Sequence, residues 1–382
     1  MIAQADIARW LADQGLDLHG PGWAHRLGAV TPEEVDRVLA EPPGRYSPER
    51  LLALISPAAQ ARLEVMAGQA RDLTIRRFGK TIALYAPLYL SNHCVNRCLY
   101  CGFNRDSRAP RLRLTVEQAA AEADILAQDG FTDLLLVSSE DRSHVTVDFL
   151  VELAGRLRGR FRCVTIEIHQ LGREEYRRLF EAGIDGVTLY QETYCRQRYR
   201  QFHKAGPKAD YDRRLGAVDD LAGAGMRRIG LGALLGLSDW RIETLALAGH
   251  ARYLMRRYWQ AQVSFSFPRL RPTGQEGGPT FEHLVSDREL VQMILALRLC
   301  FADAGMVLST REPAPLRDRL VHLGITRMSA GSRTSPGGYS GGDAVPQFEV
   351  ADHRSAAEVA DMVRAQGRDP VWKDWDTAFT GP

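Results

Sequence analysis

Cys94, Cys98 and Cys101 fall within eight residues of one another, in the run Ser91-Asn92-His93-Cys94-Val95-Asn96-Arg97-Cys98-Leu99-Tyr100-Cys101-Gly102-Phe103 behind a strand-like stretch. Thiolates are soft ligands for zinc, copper(I) or iron-sulfur clusters, and a closed zinc site or a cubane cluster ordinarily takes four. Three leave a position open. On a four-iron cluster the unligated iron can take an exogenous ligand, which points to reactivity rather than stapling. The adjacent His93 keeps a Cys3His zinc site as an alternative. A disulfide framework fits poorly, because six cysteines in 382 residues are few and the clustered three cannot all pair among themselves. Cys163, Cys195 and Cys300 lie in or beside apolar runs, where buried, inert thiols are expected.

The C-x3-C-x2-C order resembles that of radical S-adenosylmethionine (SAM) enzymes, where the amino and carboxylate groups of SAM chelate the open iron. Such a site also needs hydroxyl acceptors, a cation for carboxylate and close backbone approach. Glu140 can accept from the methionyl amine, and Glu167 or Glu192 from ribose hydroxyls. Gly230, Gly232 and Gly236 either admit the adenine or serve tight strand packing. Arg269, Arg271 and Arg311 can each grip a carboxylate through two parallel charge-assisted bonds. Alternatively each pairs with a neighbouring acid, Arg311 with Glu312 or Glu140. The run Arg196, Arg198, Arg200, His203 and Lys204 reads as a solvated helix face, with an acidic electron-donor protein as a conceivable partner.

The elements that must position these residues are legible in the periodicity. Residues 1–78 read as a helical extension, with a capping box at Thr31-Pro32-Glu33-Glu34 and apolar periodicity from Ala58 to Leu73. Beyond it, eight apolar runs centred on Leu84, Leu135, Ile166, Leu189, Leu231, Ser264, Leu308 and Thr326 alternate with helical patterns. Those patterns span Val116 to Gln128, Val147 to Leu157, Glu174 to Glu181, Arg213 to Ala222, Ile242 to Tyr258, Arg288 to Phe301 and Ala356 to Arg364. Eight such units predict an α/β fold, a TIM-type (β/α)8 barrel over 79–335, completed by a C-terminal segment at 336–382. Functional groups in such a barrel lie at the C-terminal ends of the strands. Polar residues follow each of the eight runs here, including Tyr89, Glu140, Glu167, Glu192, Arg269, Arg311 and Ser329.

Composition narrows the rest. Lys plus Arg number 49 against 47 for Asp plus Glu, so the net charge of +2 favours neither nucleic acid nor an anionic membrane. The N-terminal residues lack a basic start followed by an apolar core, and no stretch approaches a membrane span. A cytoplasmic protein is expected, which suits thiolate-bound iron.

Several motifs, in one order, resemble the 2-iminoacetate synthase family, the radical SAM tyrosine lyases of thiamine biosynthesis. Besides the cysteine run they are Tyr190-Gln191-Glu192-Thr193-Tyr194, Ile229 to Asp239, Ser264 to Pro272, Leu308-Ser309-Thr310-Arg311-Glu312, Pro336-Gly337-Gly338-Tyr339 and Val371-Trp372-Lys373-Asp374-Trp375-Asp376. The likeness runs from about Leu51 to Asp376. It implies a four-iron four-sulfur cluster on Cys94, Cys98 and Cys101, and SAM cleavage to methionine and a 5′-deoxyadenosyl radical. Hydrogen abstraction from the amino group of L-tyrosine and Cα–Cβ scission would then give 2-iminoacetate (dehydroglycine) and p-cresol. By the same likeness Arg311 anchors the substrate carboxylate, Tyr89 and Ser329 lie on the substrate side, and Glu140 meets the amine of SAM. Ser138-Ser139 departs from the Thr-Gly or Gly-Gly usual before that acid. The implied partners are a thiazole synthase and a flavodoxin or ferredoxin-type electron donor. The related tyrosine lyase of hydrogenase maturation carries a further C-terminal cysteine motif, whereas no cysteine follows Cys300 here. A tryptophan-cleaving relative, or a non-catalytic iron-sulfur or zinc protein, are the alternatives.

Overall fold

The computed structural model describes residues 6–16, 22–271, 279–342 and 344–372. Met1–Ala5, Pro272 and the Lys373–Asp376 part of the C-terminal motif lie outside the described residues. Five helices come first: α1 (Ile7–Asp13), α2 (Gly22–Ala29), α3 (Pro32–Ala40), α4 (Pro48–Ile55) and α5 (Leu63–Phe78). The capping box is present, with Thr31 Oγ1 accepting from Glu34 N at 3.3 Å and Glu34 Oε2 accepting from Thr31 N at 3.0 Å. The periodic run from Ala58 divides, because Ala58–Arg62 is a 3-10 turn that leads into α5.

The βα series follows. Its first half is β1 (Thr81–Ser91), α6 (Val116–Gln128), β2 (Asp133–Ser138), α7 (Val147–Leu157), β3 (Cys163–Glu167), α8 (Arg173–Ala182) and β4 (Gly186–Thr188). Next come α9 (Arg196–Phe202), α10 (Tyr211–Gly223), β5 (Arg228–Gly232), α11 (Trp240–Arg257) and β6 (Gln262–Ser266). The chain ends through α12 (Asp287–Cys300), β7 (Gly305–Leu308), α13 (Ala314–Leu320), β8 (Arg327–Ser329), α14 (Ala356–Ala365) and β9 (Asp369–Val371).

Neighbouring strands pair in parallel from β1 to β8, and the β1–β2 ladder together with the β1–β8 ladder closes an eight-stranded barrel. Strands buried on both faces read as continuous apolar runs, as β2 does. The expected centres at Leu189 and Thr326 fall one residue outside β4 and β8, which hold only three residues each. Two elements, α13 and β9, were not expected. β9 has no alternating pattern, and Asp369-Pro370-Val371 becomes a strand by pairing with Thr81–Ala83, below the part of β1 that pairs with β2. The extension folds onto the barrel's outer layer, α4 and α5 packing against α12, and α1 against α10 and α11.

Candidate active site

The C-terminal rim of the barrel carries the cysteine loop. Ser91, the last residue of β1, donates through Oγ to Asp141 Oδ2 at 2.7 Å, and Arg113 makes a bidentate pair with the same carboxylate at 2.8 Å. Arg111 then threads the loop, donating to the carbonyls of Asn92, Phe103, Asn104 and Ser107 at 2.5 to 3.1 Å. Those bonds replace a regular ladder and satisfy a backbone that has no secondary structure. A second brace comes from the segment after α9. Leu99 N donates to Phe202 O at 3.0 Å, Lys204 N to Arg97 O at 2.8 Å and Lys208 N to Asn96 Oδ1 at 3.0 Å. His203, expected on a solvated face, is instead buried. Its Nδ1 lies 2.8 Å from Tyr199 O and its Nε2 2.8 Å from Tyr100 OH, so the neutral ring donates to the former and accepts from the latter. Burial pushes its pKa down to about 3.

The three thiols line one cavity with Glu140, Glu167, Glu192, Lys208, Arg271 and Arg311. None is in a disulfide. Burial raises Cys94, and raises Cys98 to about 12 even though Lys208 works against it. A neutral thiol pocket of this kind releases its protons when a cation arrives to hold the thiolates. Among the described residues no three His, Cys, Asp or Glu side chains converge on one ion, and His93 is not among those that line the cavity. Three thiols on one loop with no fourth ligand among the described residues fit a cluster with an open iron better than a closed four-ligand zinc site.

The carboxylates differ in state. Glu140 accepts from Arg142 Nε at 3.0 Å and Asn96 Nδ2 at 3.2 Å, so the Ser-Ser sequence before it still brings the acid beside the cysteine loop. Burial and then the charge of Glu192 push Glu167 up to about 7, with Arg311 opposing them. Burial would raise Glu192 as well, but Lys208, bonded at 2.6 Å, and Arg214 outweigh it and hold the carboxyl below its usual range. Glu192 has φ 69°, the one positive value at a non-glycine among the described residues. That conformation is held by the next two residues. Tyr194 N donates to the buried Glu243 carboxylate at 2.8 Å, and Thr193 Oγ1 donates to its other oxygen at 2.5 Å.

A second cavity lies deeper in the barrel and shares Val137, Glu167, Tyr190, Pro268, Arg311, Gln347 and Phe348 with the first. Tyr89 and Ser329 line it. Arg311 therefore stands where the two chambers meet. Its guanidinium lies 3.4 Å from the centroid of the Phe348 ring and donates weakly to Arg269 O at 3.5 Å. Among the described residues no carboxylate is within ion-pair distance of Arg311. Its rim neighbours are neutralised, because the buried Glu312 takes Arg271 at 3.0 Å and makes a bidentate pair with Arg269. Arg269 also meets Asp287 at 2.8 Å and Val285 O at 2.9 Å, and it lines neither chamber.

Of the candidate cluster, cofactor-binding and catalytic residues singled out in the sequence, all except Arg269 line the two chambers, whereas His93, Gly230, Gly232 and Gly236 line neither. His169 and Tyr190, which also follow predicted strands, line the chambers too, and Lys208, Arg214, Gln347 and Phe348 line them and were missed. Lys208 lies four residues beyond the basic run already noted, while Gln347 and Phe348 follow no apolar strand. Gly230 and Gly232 serve strand packing: an added Cβ would meet Thr188 Oγ1 at 2.6 Å and the Tyr190 ring at 2.7 Å.

Residues 88–248 match the Radical SAM superfamily, and residues 266–369 match the Biotin and Thiamin Synthesis associated domain. With the closed barrel and the three-thiol loop on its C-terminal rim, that match defines a radical SAM enzyme, a class that carries a four-iron cluster and SAM. The chain is 42% identical over 354 residues to the 2-iminoacetate synthase of Escherichia coli (strain K12), covering 92% of this chain and 93% of that one. Identity and coverage are the same for the 2-iminoacetate synthase of Salmonella typhimurium. The FeFe-hydrogenase maturase HydG of Carboxydothermus hydrogenoformans superposes with a TM-score of 0.84 at 33% identity, over 94% of this chain and 85% of that one. The chain belongs to the 2-iminoacetate synthase family of radical SAM lyases.

Proposed function

We propose that the chain cleaves the Cα–Cβ bond of L-tyrosine to 2-iminoacetate and p-cresol, converting SAM to 5′-deoxyadenosine and methionine, for the thiazole moiety of thiamine. The observation that carries this reading is Arg311, a guanidinium without a carboxylate partner among the described residues, stacked on Phe348 where a thiol-lined chamber opens into a deeper aromatic one. An α-amino acid needs such an anchor, and an aromatic side chain needs the space below it.

Cys94, Cys98 and Cys101 would hold a four-iron four-sulfur cluster, with Glu140 beside them for the amine of SAM and Glu192 or Glu167 for its ribose. When bound, the cluster and SAM supply a 5′-deoxyadenosyl radical on one-electron reduction. Arg311 fixes the substrate carboxylate, and Tyr89 and Ser329 bound the substrate chamber. The apolar walls, among them Val137, Pro268 and Phe348, exclude water from a reactive intermediate. Within the C-terminal segment assigned to 336–382, Gln347 and Phe348 line the mouth of the barrel assigned to 79–335, and α1 to α5 make up the helical extension assigned to 1–78.

The imine product passes to a thiazole synthase, and a flavodoxin or ferredoxin-type donor supplies the electron. Exposed Arg97, Arg105, Arg108, Arg200 and Lys204 near the cysteine loop suit an acidic donor. A cytoplasmic site of action accords with the helices, none of which, among the described residues, is long and apolar enough to cross a membrane. Anaerobic reconstitution with iron and sulfide, then SAM, reductant and tyrosine, tests the reading: it requires both 5′-deoxyadenosine and p-cresol. Products from tryptophan but not tyrosine would transfer the assignment to a tryptophan lyase.

A further inference from the structure

Gln347 stands between the thiol loop and the substrate chamber. Its Oε1 accepts from Tyr89 OH at 2.9 Å, and its Nε2 points at Cys101 Sγ, 3.8 Å away. With Oε1 on the Tyr89 hydroxyl, Nε2 is the end of the amide that faces the sulfur. The backbone is equally constrained. Gln347 N donates to Thr334 O at 2.9 Å, and Thr334 Oγ1 donates to Phe348 O at 3.2 Å. A Cβ on Gly102, the residue after Cys101, would lie 2.5 Å from Gln347 O, so the two loops are already in contact and only glycine fits.

We infer that Gln347 is a positioning residue that donates a hydrogen bond to the cluster ligand Cys101 and, through Tyr89, ties the cluster's reduction potential to the substrate chamber. An N–H directed at a ligating sulfur stabilises the more negative, reduced cluster and raises its potential. Tyr89 holds the amide in that orientation. The inference rests on the proposed cluster site and adds a residue to it.

The test is an EPR-monitored redox titration of anaerobically reconstituted protein, wild type against Gln347→Leu, Tyr89→Phe and the double variant, at equal iron and sulfide content. Loss of one hydrogen bond of ~1 kcal/mol corresponds to about fivefold in the reduction equilibrium. At 59 mV per tenfold for one electron, that bounds the fall for Gln347→Leu at about 40 mV, reached if the bond acts on the reduced cluster alone. Tyr89→Phe should lower the potential by less, and should add nothing in the Gln347→Leu background. If Gln347→Leu takes up too little iron, Gln347→Asn, whose amide is withdrawn by one methylene, is read in its place. A loaded Gln347 variant with the wild-type spectrum and potential overturns the inference, as does a Tyr89→Phe shift that persists undiminished in the double variant. Failure of the wild-type protein itself to take up a cluster would instead overturn the cluster reading.

Discussion

Replacing Arg311 by methionine keeps an apolar stem against Phe348 and deletes the charge at the junction of the two chambers. Among the described residues the guanidinium of the free protein meets the Phe348 ring and makes a 3.5 Å bond to Arg269 O, so its removal breaks little that already exists. With a substrate carboxylate in place, the loss is that of a desolvated charge pair, about 2–5 kcal/mol. At 1.4 kcal/mol per tenfold, tyrosine should bind about thirtyfold to several thousandfold more weakly. Equilibrium binding of L-tyrosine and of tyramine, which lacks the carboxylate, isolates the interaction. Wild type should prefer tyrosine, and Arg311→Met should bind the two amines about equally while unfolding at the wild-type temperature. Equal losses for both ligands would refute the assignment, because the mutation would then have damaged the chamber rather than removed an anchor. Arg311→Lys should fall between, having one point charge in place of a planar fork.

Other side chains make separate predictions. Lys208→Met leaves the Glu192 carboxylate buried without its 2.6 Å partner, which should cost the apoprotein about 3–5 kcal/mol in denaturant unfolding, with much of the loss recovered in Lys208→Met/Glu192→Gln. His250, whose Nδ1 lies 2.8 Å from Tyr194 OH, is pushed by burial to about 3. An unfolded histidine binds its proton near pH 6.5. The stability it contributes above that pH is therefore lost as pH falls toward about 3, by up to ~1.4 kcal/mol per pH unit. His250→Gln should flatten this slope in acid titrations of unfolding; an unchanged slope would show that other groups carry it.

The strand-end rule picked out most of the candidate site, because residues at or just beyond the C-terminal end of a barrel strand lie at the rim. That held for Tyr89, Glu140, Glu167, Glu192, Arg311 and Ser329, all of which line the chambers. It could not divide the three arginines. Arg269 and Arg311 both follow strands, and only the three-dimensional path of the loops brings Glu312 to Arg269 and Arg271 rather than to its chain neighbour Arg311. His203 misled for a related reason: α9 is basic in sequence, yet Tyr199, Phe202 and His203 face the cysteine loop and are buried there. Gln347 and Phe348 were illegible because their segment has no periodicity, and its course is set by pairing to Thr334 and by contact with Gly102.

The charge in the chambers leads to a last prediction. Glu192 and Lys208 cancel, which leaves Arg311 and Arg214 as cations lining the chambers. Glu167, at about 7, is shared near neutral pH between a protonated form that can donate a hydrogen bond and an ionised form that would repel a substrate carboxylate. Arg311 holds the Glu167 pKa down against burial and Glu192. A carboxylate seated on Arg311 cancels that influence and adds a negative charge, and both effects raise Glu167 further. Tyrosine binding should therefore take up protons when measured at or somewhat above pH 7, where free Glu167 is partly ionised and bound Glu167 is not. Calorimetric binding in buffers of different ionisation enthalpy measures the uptake. Glu167→Gln should abolish it, and tyramine, which carries no carboxylate, should show less of it. Proton release by the wild-type protein, or uptake of the same size in Glu167→Gln, would mean that Glu167 does not sense the anion on Arg311.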